Sequence, residues 1–273
     1  MIFSLEDVGR RSRNARKIPG SSGEVATSSG NSLGAFLYLA GEANRRASCD
    51  SLALRGSAPR WALPADLTDQ LVHDPLAWFE RERAALVSGV RQAARAGQAD
   101  LSWNLAFSAL PLLVNRDYFD DWRDSHEVAP QAGDVRGQVV MLYSQSELHF
   151  AQQHYDQARG EASAALRLFQ DISDEHGAAL AITGIACADR VSGRLDDAAR
   201  RFDRALGVFR STGHHLAAGF ALVNIAEIKL QRSELDEAGQ LLSEALGLAR
   251  VAPVRKTRGT GAPPHGRGGP AGR

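Results

Sequence analysis

Apolar and polar positions between residues 134 and 250 recur with a period of 40 residues. Three consecutive blocks, opening at Asp134, Asp174 and His214, align without a gap. Each block reads as two helices joined by a short polar break: QQH, SGR or RSE. The first helix carries apolar residues at helical spacing, such as Leu180, Ile182, Ile185 and Ala186, or Phe220, Leu222, Ile225 and Ala226. The second helices, YDQARGEASAALRLF, LDDAARRFDRALGVF and LDEAGQLLSEALGLA, share five columns. These are Tyr155/Leu195/Leu235, Asp156/Asp196/Asp236, Ala158/Ala198/Ala238, Ala165/Ala205/Ala245 and Leu166/Leu206/Leu246. The acids in the first turn suit the positive end of the helix dipole. The alanines let helices approach closely: the first set within a block, the second toward the next block. One helical pair cannot bury its apolar face alone, so the blocks must stack. The expected fold class is all-α, a solenoid of antiparallel helix pairs.

Upstream the pattern weakens. RDYFDDWRDSHEVAP repeats the second-helix pattern at a spacing of 36, with Phe119, Asp120, Trp122 and Ala129 in the matching columns. Pro130 stands where the other blocks have leucine, so this helix should end early or kink. The preceding helix, Ala99 to Val114, should bend at Pro111. Asp74 and Pro75 read as the N-cap and first residue of a helix running to about Ala96 and burying Phe79, Leu86, Val90 and Ala93. The expected organisation is a disordered segment over 1–32, a single helix (Leu33 to Arg46) plus linker over 33–73, a capping helix and degenerate repeat over 74–133, three repeats over 134–250, and a disordered basic tail over 251–273.

The columns of residues 98–250 resemble the tetratricopeptide repeat. That family places a small residue early in its second helix, an alanine later, and a large residue between them. Ala158, Ala198 and Ala238 match the first site, and Ala165, Ala205 and Ala245 the second. Phe202 and Leu242 match the middle site, from which Ala162 departs. The family's repeat is roughly 34 residues, so a 40-residue block implies longer helices or an extended turn. DPLAWFERERAALVSGVRQAARAG, followed by DLSWNLAFSALPLLVNRDYFDDWRDSHEVA, is similar to the C-terminal part of actinobacterial regulators of the antibiotic regulatory protein (SARP) type and related NB-ARC-type ATPases. FLYLAGEANRRA is similar to the helix that precedes the linker helix there. The resemblance implies the repeat-bearing part of a transcriptional regulator. Its ATPase does not carry over: the three lysines, Lys17, Lys229 and Lys256, each lack the preceding glycine of a P-loop. No complete winged helix fits in the first 73 residues.

Composition changes this picture little. The chain has 273 residues, 44% hydrophobic and 23% charged, with no formal net charge. A balanced chain offers no global field for nucleic acid, although both ends are locally basic. Direct nucleic-acid binding is not expected. Cys49 and Cys187 have no metal-ligand spacing and fit a reducing compartment. The longest nearly apolar stretch, Leu105 to Val114, falls short of the about 20 residues a spanning helix needs. The expected location is the cytoplasm, without a membrane partner.

Candidate chemistry is thin. Gly30-Asn31-Ser32-Leu33-Gly34 matches a nucleophile elbow, but EVATSS before it is a poor strand, and a Ser/Asn helix cap is the simpler reading. His149 and His154 are five apart and do not share a helix face; His214 and His215 sit at a block junction. The paired acids Asp120-Asp121 and Asp196-Asp197 begin helices. No catalytic, cofactor or metal residues follow from these patterns, and the chain reads as a non-enzyme.

A functional surface follows from the resemblance, in which first-helix residues line an inner groove. The matching positions are Val140, Tyr143, Glu147 and Phe150; Leu180, Thr183, Cys187 and Arg190; and Phe220, Val223, Glu227 and Leu230. This largely apolar set suits an amphipathic helix or apolar segment. The expected function is a protein–protein interaction scaffold within a regulator. Its expected partner is a protein or peptide segment, the regulator's own missing domains included. The alternatives are a free-standing adaptor and a truncated gene remnant. The remnant reading rests on a last repeat without a polar cover and a Gly/Pro/Ala/Arg tail resembling out-of-frame GC-rich DNA. It predicts an exposed apolar end and a tendency to associate.

Overall fold

The computed structural model describes residues 23–47, 54, 56–110, 118–128 and 135–251. Among them the fold is all-α, with eleven helices. These are α1 (Gly23–Arg46), α2 (Ala65–Leu71), α3 (Pro75–Arg95), α4 (Ala99–Ser108), α5 (Phe119–Val128), α6 (Val135–Ala151), α7 (Tyr155–Asp171), α8 (Glu175–Val191), α9 (Leu195–Ser211), α10 (His215–Gln231) and α11 (Leu235–Val251). The three 40-residue blocks are the pairs α6–α7, α8–α9 and α10–α11, each helix 17 residues long. Each second helix packs on its own first helix, and α7 and α9 pack also on the first helix of the next block. The result is a solenoid in which successive elements are neighbours.

The connections show why the period is so regular. Gln153, Ser173, Gly193, Gly213 and Ser233 all have positive φ, between 57° and 78°. Each is followed by a residue whose N–H donates back five positions, as in His154 to His149 at 2.8 Å, Asp174 to Phe169 at 2.8 Å and Glu234 to Lys229 at 2.9 Å. This is the Schellman closure, which satisfies carbonyls at the helix end and reverses the chain. Gly97 closes α3 in the same way, with Gln98 donating to Ala93. Asp174 then caps α8, its side chain accepting from the Gly177 N–H at 2.9 Å.

Small residues set the helix spacing. Ala158, Ala198 and Ala238 are buried, as are Ala165, Ala205 and Ala245. Gly137 of α6 receives the ring of Trp103 and Gly177 of α8 that of Phe169; a Cβ at either would lie 2.4 Å from the ring. Phe169, Phe202 and Phe209 fill the space between blocks and are fully buried.

The N-terminal part differs from its sequence reading in two places. Helix α1 begins at Gly23, so 23–32 is helical rather than part of a disordered segment. The buried run Leu33, Phe36, Leu37 and Leu39 anchors this helix, and extending a nucleated helix adds a hydrogen bond per residue fixed. The described part of the expected linker, residues 54 and 56–73, is a packed strap. Leu54 and Ala58 are buried, the Gly56 N–H donates to Asn104 Oδ1 at 3.1 Å, and the Trp61 N–H donates to the Gly34 carbonyl at 3.2 Å. Gly34 is required there, because a Cβ would meet the Trp61 ring at 2.2 Å. Asp74 caps α3, accepting from the Ala77 N–H at 3.0 Å, with Pro75 in its first turn. Phe79, Leu86, Val90 and Ala93 are buried. Helix α5 is described from Phe119 to Val128, and the early end or kink expected at Pro130 lies outside the described residues. The expected bend at Pro111 and the tail beyond 251 lie outside the described residues.

Candidate functional site

The stripe assigned to an inner groove lies elsewhere. Val140, Tyr143, Leu180 and Thr183 are buried in the stack, and Cys187 nearly so. Gly184 of α8 lies against Glu147 and Tyr143 of α6. Arg190 of α8 bridges to Glu227 of α10 at 2.7 Å. The stripe is therefore the seam between successive first helices. A first helix inside the stack has neighbours on both flanks, so Val140, Tyr143, Leu180 and Thr183 are covered, while Glu147, Phe150 and Arg190 stay half-buried. Phe150 is half-buried and meets the Tyr155 ring edge-on at 5.3 Å. Among the described residues α10 has no following block, and there Phe220, Val223 and Leu230 are exposed.

The seam holds unusual acid–base chemistry. Burial pushes the Glu147 carboxyl up to about 7, although a hydrogen bond with the Tyr143 side chain pulls the other way. Burial and the neighbouring Glu147 push the Tyr143 hydroxyl well above its ordinary value. Burial, then Glu147, push the Cys187 thiol up to about 12. Cys187 therefore stays a protonated thiol at neutral pH and is a poor nucleophile.

The other candidates have structural partners. Asp120 pairs with Arg123, Asp121 with Arg83, Asp196 with Arg232 and Asp197 with Arg200. His149 Nδ1 meets Glu161 at 2.7 Å. Gly30 to Gly34 lies inside α1, so Ser32 is neither an elbow nor a cap. Among the described residues, no group of three or more His, Cys, Asp or Glu is placed to hold a metal ion, and no helix is long and apolar enough to cross a membrane.

Two further features stand out; the first escaped the sequence reading, and the second was expected there only on the remnant reading. Asp189 is fully buried and gathers three arginines: Arg159 at 2.9 Å, Arg194 at 2.7 Å and Arg201 at 2.7 Å. In the next block the same position is Lys229, held by Glu234 and Glu237. Spacing does not reveal this cluster, because its members come from three helices and a connection. The second feature is the outer face of α11. Leu235, Gly239, Leu242, Leu246 and Ala249 are exposed and alternate at steps of four and three. The matching residues Phe202, Leu206 and Phe209 of α9 are buried beneath α10. Leu242 is 40% exposed and Leu246 54%, against 0% for Phe202 and 5% for Leu206. The signal was available in the columns, since α11 is the last helix with the repeat pattern.

No protein-family model matches the chain, and no curated protein matches it.

Proposed function

We propose that the chain is a protein–protein interaction scaffold, the tetratricopeptide-type portion of a transcriptional regulator, and that it binds polypeptide through the face made by α10 and α11. The observation that carries this reading is one of exposure. Phe220, Val223 and Leu242 face outward, while their columns in the preceding blocks, Val140 and Leu180, Tyr143 and Thr183, and Ala162 and Phe202, are buried; Leu230, Leu235 and Leu246 are exposed beside them in sequence. A contiguous apolar face of this kind marks an interaction site in a soluble protein. The regulator assignment is supported by the resemblance of residues 74–129 to the linker helix and first repeat of such proteins.

The binding reading is tested by placing a photo-crosslinking amino acid at Phe220 or Leu230 in the full chain, expressed in its native host. A discrete polypeptide adduct, absent with the crosslinker at exposed Arg167, supports it. Equal or no labelling at all three positions overturns it. The regulator reading is tested on the flanking DNA: a P-loop or winged-helix coding region in the same operon or adjacent frame supports it, and its absence favours a free-standing adaptor.

A further inference from the structure

We infer that the occupant of the α11 face is a second copy of this chain, docked so that the two α11 helices run antiparallel about a twofold axis near Leu242. The inference rests on the interaction-scaffold reading and names its partner.

The argument is self-complementarity. A twofold contact must join a surface to itself, so residues equidistant from its centre meet. Along α11 the exposed stripe is Leu235, Gly239, Leu242, Leu246 and Ala249. With the axis between Leu242 and Ser243, Gly239 meets Leu246, Leu235 and Ala249 face each other to within one residue, and the two copies of Leu242 flank the axis. Each large side chain thus faces a small one, except at the centre, where two leucines abut. A Cβ at Gly239 would have no neighbour within 4 Å, so that position is open to receive a side chain from outside. The steps of four and three between stripe positions are those of a two-helix seam.

Charge follows the same symmetry. Asp236 stands in the first turn of α11 and Arg250 in the last. Both are exposed, and the same reversal brings Asp236 of one copy to within one residue of the level of Arg250 of the other, twice per dimer. The same arrangement sets the positive end of each helix dipole near the negative end of the other. A parallel contact would instead stack Asp236 on Asp236 and Arg250 on Arg250. Phe220 and Val223 on the neighbouring α10 are exposed as well.

The test uses the full 273-residue chain in sedimentation and light scattering. A dimer that Leu242→Glu converts to monomer, with helicity unchanged, is the expected result. Asp236→Arg alone and Arg250→Asp alone should each weaken the dimer, because each sets like charges face to face at both ends. Mixing those two variants should restore a dimer containing one of each, since every pair across the axis is then opposite in sign. A monomer at the highest soluble concentration overturns the inference, as does a dimer indifferent to Leu242→Glu. Failure of the mixture to re-form a dimer overturns the antiparallel register. If the chain is monomeric but a crosslinker at Phe220 still labels another polypeptide, the second copy is excluded while the scaffold reading stands; if neither association occurs, both fall.

Discussion

At the scale of single residues, the clearest consequence is pH dependence from Glu147. Its carboxyl sits at about 7 in the folded chain, above the 4.5 of an ordinary glutamate. Between those values the folded state binds more protons than the unfolded state, so stability falls as pH rises. The stabilisation is fully present below about 4.5 and is lost as pH passes through about 7. Glu147→Gln keeps the shape and the hydrogen-bonding capacity toward Tyr143 but cannot ionise. The melting temperature of the variant relative to the parent should therefore rise between about pH 5 and about pH 8. A difference that stays constant across that range would remove Glu147 as the titrating group. The Schellman positions yield a second expectation. Ser173 holds a left-handed φ of 57° that Gly193 and Gly213 adopt freely. Ser173→Gly should stabilise by about 0.5–1 kcal/mol, relief of backbone strain outweighing the glycine's extra unfolded-state entropy. Urea denaturation at constant m-value reads this directly.

At the scale of helices, close approach is the rule most exposed to test. Ala198 is fully buried where α9 meets α8. Ala198→Arg would bury an unpaired charge at that contact and should cost more than about 3 kcal/mol. Unchanged helicity and melting would show that the helices are not in this register. The repeat boundaries were legible because three independent signals coincide: apolar periodicity, a polar break, and acids at the next helix start. Asp174, read as the opening of a block, is the cap of α8. The N-terminal part was less legible. Gly and Ser over 23–32 carry weak propensities, and their helix depends on the downstream core through Leu33 and Phe36. The functional stripe was misplaced for a related reason. Spacing says that Val140, Tyr143 and Leu180 share a face with their neighbours; it does not say what covers that face. Covering is a property of stacking, and among the described residues the α10–α11 block leaves Phe220 and Val223 outside. The inversion of sign between Asp189 and Lys229 was likewise beyond spacing, since each sign is matched by residues on a different helix or connection.

At the scale of the whole molecule, a stack has a stability gradient. Each block is stabilised chiefly by its immediate neighbours, so an inner helix is held on two sides and an end helix on one. Helix α8 contacts α6, α7, α9 and α10, and eleven of its 17 residues are buried. Helix α11 packs on α10 and leaves its far face open. Amide hydrogen exchange should therefore be slowest in α8 and fastest among the repeat helices in α11, because local opening costs less where fewer contacts break. If a second copy covers the α11 face, that gradient becomes concentration-dependent through mass action. Protection of α11 should rise with protein concentration in the parent chain and stay low in Leu242→Glu, while α8 is unaffected by either change. Uniform protection across α6 to α11 at high dilution would mean that the stack opens as one cooperative unit, and that the open face at α11 carries no local cost.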